Sequence, residues 1–215
     1  MSSIEDIKQS VDVKLERLDA RADAFQAALG GSESQMNERI ERRKQELRQT
    51  IEKLSSDINQ EKDLPHERKQ AVGSLVDNLN QQIASSQTAA HETLAYARRQ
   101  IQEGLRKMET EVDTALAESK STPTEPLRLS IGAYARAMHR LDVELEAAEA
   151  RFASAKDKGD LASDQRRQDM AEEIAQLKQR LGEKKAHSGD KLARFEAELH
   201  EKFEQMTKKF TELFR

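Results

Sequence analysis

The chain contains no cysteine and no tryptophan, only three prolines and eight glycines among its 215 residues, and an aromatic content of 4%. Without cysteine there are no disulfides and no thiolate metal sites, which agrees with a reducing compartment. With 36% hydrophobic against 35% charged residues, a large compact core is excluded in favour of narrow stripes of burial. No apolar run is long enough to cross a bilayer, and the opening MSSIEDIKQSVDVKLERLD lacks the apolar centre of a signal peptide. The expectation is a soluble, cytoplasmic protein. Charge of one sign is not in excess either. The 36 basic and 40 acidic residues are interspersed and leave a formal net charge of -4, which speaks against nucleic acid as a partner.

What the chain has instead is Ala, Glu, Gln, Leu, Lys and Arg, all good helix formers, carrying apolar side chains at helical spacing nearly end to end. That periodicity separates it from a disordered chain of similar composition. Ser2 and Glu5 have the spacing of a capping box, and the stripe Ile4, Ile7, Val11, Leu15, Leu18, Ala22, Phe25 and Leu29 runs to Gly30-Gly31. Ser32 or Ser34 caps a second helix on Met36, Ile40, Leu47, Ile51, Leu54 and Ile58. Pro65 in DLPHE breaks the chain, because the residue before a proline is driven out of helical geometry. STPTEP, residues 121–126, is the clearest turn.

These signals predict an all-α fold, 1–215 being a single elongated domain: an antiparallel helical bundle or coiled coil of long helices at about 2–29, 32–62, 66–120, 124–157, 163–187 and 190–214. The predicted helix from 66 to 120 is the longest, on the order of 80 Å. Its stripe repeats by elevens: Val72, Ile83, Leu94, Leu105 and Leu116 form one row, and Leu79, Ala90, Ile101 and Val112 another. An eleven-residue period gives 3.67 residues per turn and keeps the stripe nearly straight, as in LAYARRQIQEGL, residues 94–105. The next helix keeps sevens, Leu127, Tyr134, Leu141 and Ala148, with Ile131 and Leu145 between them. Val72, Leu79, Ile83, Leu94, Ile101, Leu105, Val112, Leu116, Leu127, Ile131, Leu141 and Leu145 are therefore the candidate seam.

Two further groups are candidates for partner contact. The final segment LARFEAELHEKFEQMTKKFTELF carries a wide, bulky face of Phe195, Leu199, Phe203, Met206, Phe210 and Phe214 beside Lys202, Lys208 and Lys209. It is read either as a packed stripe or as a face for a membrane surface or a protein. The run ERIERRKQELR, residues 38–48, is the densest basic patch, with Arg39, Arg42, Arg43, Lys44 and Arg48. Interleaved Glu38, Glu41 and Glu46 favour a solvated face of ion pairs over a headgroup site, and the same holds for Arg98, Arg99, Arg106 and Lys107.

Catalytic chemistry has no carrier. None of His66, His91, His139, His187 and His200 follows a Glu by three residues, as bundle metal sites require, and Asp63 with His66 falls at a turn. No phosphate-binding glycine loop or nucleophile elbow occurs. No catalytic residue, metal or cofactor is expected, and no small-molecule substrate. The sequence points to a non-enzymatic structural or scaffolding protein, homodimeric or of higher order because narrow stripes on long helices need several helices to cover them. A second reading is a peripheral membrane-binding module. Long kinked helices that dimerise are similar in outline to a BAR domain, an analogy of architecture that no motif carries. A third is an adaptor that binds a larger assembly through one exposed stripe.

Overall fold

The structure, a computed structural model, describes residues 4–85, 91–119, 122–153, 161–183 and 190–213, with side chains over 10–84, 96, 98–119, 122–151, 164–183 and 191–213. All of its regular structure is helical: α1 (Ile4–Gly30), α2 (Glu33–Gln60), α3 (His66–Ser85), α4 (His91–Glu118), α5 (Glu125–Ala153), α6 (Leu161–Gly182) and α7 (Asp190–Leu213). Ser2 of the expected capping box, and residues 154–160 and 184–189 where thinning stripes suggested turns, lie outside the described residues.

Helix boundaries follow local chemistry. Gly31 and Ser32 interrupt the helical run, and Ser32 is the cap: its Oγ accepts from the Gln35 amide at 3.3 Å while its own amide donates to Gln35 Oε1 at 2.9 Å. Gly31 is required by space. A Cβ there would lie 2.6 Å from the Ala27 carbonyl oxygen, the same oxygen that accepts from the Gly31 amide at 2.7 Å. Gly73, inside α3, has nothing within 4 Å of a Cβ position. Gly73→Ala is therefore expected to raise stability by about 0.5–1 kcal/mol through helix propensity. Gly31→Ala should lower it by roughly 1–3 kcal/mol. Urea unfolding followed by circular dichroism checks both signs.

The chain forms two compact units, residues 1–36 with 146–215 and residues 37–145. In the first, α1, α6 and α7 pack on one another. Lys14 donates to Glu196 (3.4 Å) and Arg21 to Glu204 (2.9 Å), while Phe25 stacks on Phe210, so residue numbers rise together and α1 runs parallel to α7. Arg180 pairs with Glu198 and Lys209 with Glu173, both at 2.9 Å, so α6 runs antiparallel to α7. The core is Leu15, Leu18, Ala22 and Phe25 of α1, Met170, Ile174 and Leu177 of α6, and Leu199, Phe203, Met206 and Phe210 of α7. Ala24 and Ala28 are buried as well, because α1 meets two neighbours and presents two adjoining faces.

The second unit holds residues 37–60 of α2, all of α3 and α4, and residues 125–145 of α5. Here the structure departs from the uninterrupted helix expected over 66–120. Helix α3 ends at Ser85, α4 starts at His91, and the two pack side by side. Arg68 near the start of α3 donates to Glu118 near the end of α4 through Nε at 2.8 Å and Nη2 at 2.6 Å, so they are antiparallel. Val72, Leu79 and Ile83 of α3 and Ile101, Leu105 and Val112 of α4 are all buried. Gly104 of α4 permits the close approach: a Cβ there would meet Leu79 Cδ1 at 2.9 Å and Gln82 Oε1 at 2.7 Å.

Helices α2 and α5 are tied antiparallel at three levels. Arg39 reaches Glu144, Arg140 reaches Glu46 and Ser130 Oγ donates to Asp57 Oδ2. Beyond the end of α2, buried Glu61 accepts from the Thr124 amide (3.3 Å) and hydroxyl (2.8 Å), anchoring the start of α5. Tyr134 of α5 donates its hydroxyl to the Leu105 carbonyl of α4 at 3.2 Å. Burial and the charge of Glu109 raise the Tyr134 phenol above its ordinary value.

Candidate functional site

Of the candidate seam, Val72, Leu79, Ile83, Ile101, Leu105, Val112, Leu127, Leu141 and Leu145 are buried within the chain's own helices. Leu116 and Ile131 are only half-buried, and their neighbours Ala115 and Ser130 take the interior positions. Ser130 can do so because Asp57 accepts a hydrogen bond from its hydroxyl, which the hydrophobic pattern could not reveal. The Leu94 side chain lies outside the described residues.

The C-terminal face is interior too. Phe195, Leu199, Phe203, Met206 and Phe210 are all 6% exposed or less, and Phe25 and Phe210 stack with centroids 4.1 Å apart at 10°. Phe214 lies outside the described residues. The bulk that suggested a membrane face fills the space among three helices. Arg21 closes it from the side: Nη2 donates to Glu146 at 2.8 Å, Nη1 to Glu204 at 2.9 Å, and the guanidinium stands 5.8 Å from the centre of the Phe25 ring. Burial alone would lower the Arg21 pKa, but the bonds to Glu146 and Glu204 outweigh it and raise the value. Its position beside Ala22 on the stripe was the one sequence sign of this role.

The basic patch turns inward. Arg39 forks onto buried Glu144, with Nε to Oε2 at 3.1 Å and Nη2 to Oε1 at 2.5 Å. Arg43 Nη1 donates to Glu46 at 2.7 Å, and its Nε stands 3.8 Å from Glu144. Lys44, expected on a solvated face, is 2% exposed and donates to Glu41 at 2.7 Å. Arg48 is half-buried, and Arg42 alone of the five is exposed. On α4, Arg98 donates to Asp142 at 2.9 Å and Lys107 pairs with Glu103 at 2.8 Å. Arg39 is thus met by a carboxylate of α5 that no i,i+4 count could include, while Arg43 and Lys44 pair with Glu46 and Glu41 of their own helix.

These pairs set an acid dependence. Burial pushes the Glu46 carboxyl up, but hydrogen bonds from Arg43 and Arg140 overcome it and hold the group below the usual range. Glu118 is held low by the Arg68 guanidinium. A carboxyl depressed in the folded state stabilises fully above its unfolded value of about 4.3, and that contribution disappears as pH falls through the folded value. Thermal unfolding should therefore be flat near neutrality and drop steeply below about pH 4. Glu46→Gln is expected to unfold earlier at pH 7 and to show a shallower acid decline; a slope equal to the native one would contradict the assignment.

A cleft of about 330 Å³ lies between α6 and α7, where Met170 and Leu213 form the floor and Arg166, Asp169, Lys209 and Glu212 the rim. Lys209 is held by both oxygens of Glu173 at 2.9 Å, so its charge is already met. A second hollow of about 80 Å³ flanks Gly104 between α3 and α4. Among the described residues no group of three or more His, Asp or Glu is placed to hold a metal, and no helix is long and apolar enough to cross a membrane. Compared with known proteins, the chain matches no family model, no curated protein and no solved structure.

Proposed function

We propose that this is a non-enzymatic structural or scaffolding protein: a cytoplasmic, coiled-coil-like assembly of antiparallel helical bundles whose heptad and hendecad rows are its internal seams, and which associates with itself through its helix surfaces. The observation that carries the reading is where the apolar side chains go. Rows at seven- and eleven-residue spacing are buried inside each unit, from Ile40, Leu47 and Leu54 to Phe203 and Phe210. Among the described residues only Tyr96 and Leu129 are large, apolar and exposed. A partner therefore meets helix faces of alternating charge, and a surface that interleaves both signs is complementary to a second copy of itself. Lipid binding by α7 would require Phe203, Met206 and Phe210 to leave the interior of their unit.

Light scattering on the purified protein at increasing concentration tests this. The expected mass at low salt is a multiple of 24.4 kDa that falls towards 24.4 kDa as salt is added, because charged faces are screened. A constant 24.4 kDa at low salt and high concentration would overturn self-association.

A further inference from the structure

Within unit 37–145 one level of the α2–α5 contact is made of charges rather than apolar side chains. Lys44 occupies the same stripe as Ile40 and Leu47, four residues after one and three before the other, and is as buried as they are. On α5, Glu144 is buried three residues after Leu141. Around them stand Arg39, forked onto Glu144, and Glu46, which accepts from Arg43 and Arg140 at 2.7 Å each. Buried charges of this kind are poor sources of stability, since apolar residues of similar size would be removed from water at lower cost. Their attested use is to fix which helices pair and in what register.

The apolar rows alone leave that register open. Ile40, Leu47 and Leu54 on α2 repeat by seven, as do Leu127, Tyr134 and Leu141 on α5, and all six are buried. Sliding α2 by seven residues, about 10 Å, puts Ile40 where Leu47 stood or Leu47 where Ile40 stood, so the same positions stay apolar. The charges do not repeat. One direction of sliding sets Glu46 where Arg39 now meets Glu144, placing two carboxylates together; the other carries Arg39 and Arg43 out of reach. Either way Lys44 moves to a new level with its buried charge.

We propose that the charges Arg39, Lys44 and Glu144 are the decisive part of a register lock, completed by Arg140–Glu46 and Ser130–Asp57, which selects one alignment of α2 on α5 from alignments that the apolar rows would tolerate equally. The chain has no cysteine, so a pair of spin labels can be introduced at exposed Gln49 and Arg136 by Gln49→Cys and Arg136→Cys. Double electron–electron resonance on the otherwise native chain should give one narrow distance. In the R39L/K44L/E144L background, helicity by circular dichroism should persist and a second, longer distance should appear, because a shift of about 10 Å along the axis separates labels that start level. Lys44→Met alone should fold and show the second population at lower amplitude. A single unshifted distance in K44M, together with a single distance or lost helicity in the triple variant, overturns the lock: the layer would then be neutral or simply stabilising.

Discussion

Phe210→Ala is expected to cost about 3–5 kcal/mol, the largest single effect in the unit of α1, α6 and α7. The ring is 1% exposed and stacked on Phe25, so truncation leaves a cavity between α1 and α7 that helices held by ion pairs at several levels cannot close. Phe25→Ala should cost a similar amount. The double variant should lose less than the sum, because ring pairs of this type couple by roughly 0.5–1.5 kcal/mol. Urea denaturation followed by circular dichroism measures all three. A loss below about 1 kcal/mol in F210A would mean that the face is not interior, and would return it to the role of a membrane or partner surface.

The second large effect concerns the other unit. Ile101→Ser and Leu105→Ser each place a hydroxyl at a position no more than 3% exposed, on the α4 edge that α3 and α5 cover. Each combines a cavity with an unsatisfied polar group, and a loss of about 3–5 kcal/mol is expected from either. Both tyrosines, Tyr96 and Tyr134, lie in this unit, and the chain has no tryptophan. Tyrosine fluorescence therefore reports on this unit alone. The result expected is an earlier tyrosine transition in both variants at unchanged mass. Retained stability with a drop in mass would instead place this seam between two copies of the chain.

Much of the helical layout was legible because single residues carried it. Pro65 and the STPTEP turn fall where α3 and α5 begin, and Ser32 with Gln35 has the cap spacing that the structure uses. The break between α3 and α4 was not legible. No Gly or Pro marks it, and the step of eleven from Leu79 to Ala90 to Ile101 continues through it. Only the polar run Ser85, Ser86, Gln87 and Thr88 hinted at a stop. The stripes were legible as buried surface, but what covers them was not, since a single sequence shows one side of each contact. Lys44 shows this: its neighbours in sequence give no sign that its position is covered, yet it is 2% exposed. The Phe-rich face is buried along α7, and its bulk fits two neighbouring helices in place of one.

Thermal unfolding over a hundredfold range of protein concentration tests most directly whether the apolar rows are seams within one chain. In salt of about 0.5 M, where contacts between charged surfaces are screened, the midpoint should not move with dilution. If the rows joined separate copies, folding would be linked to association by mass action, and the midpoint would fall steadily as the protein is diluted.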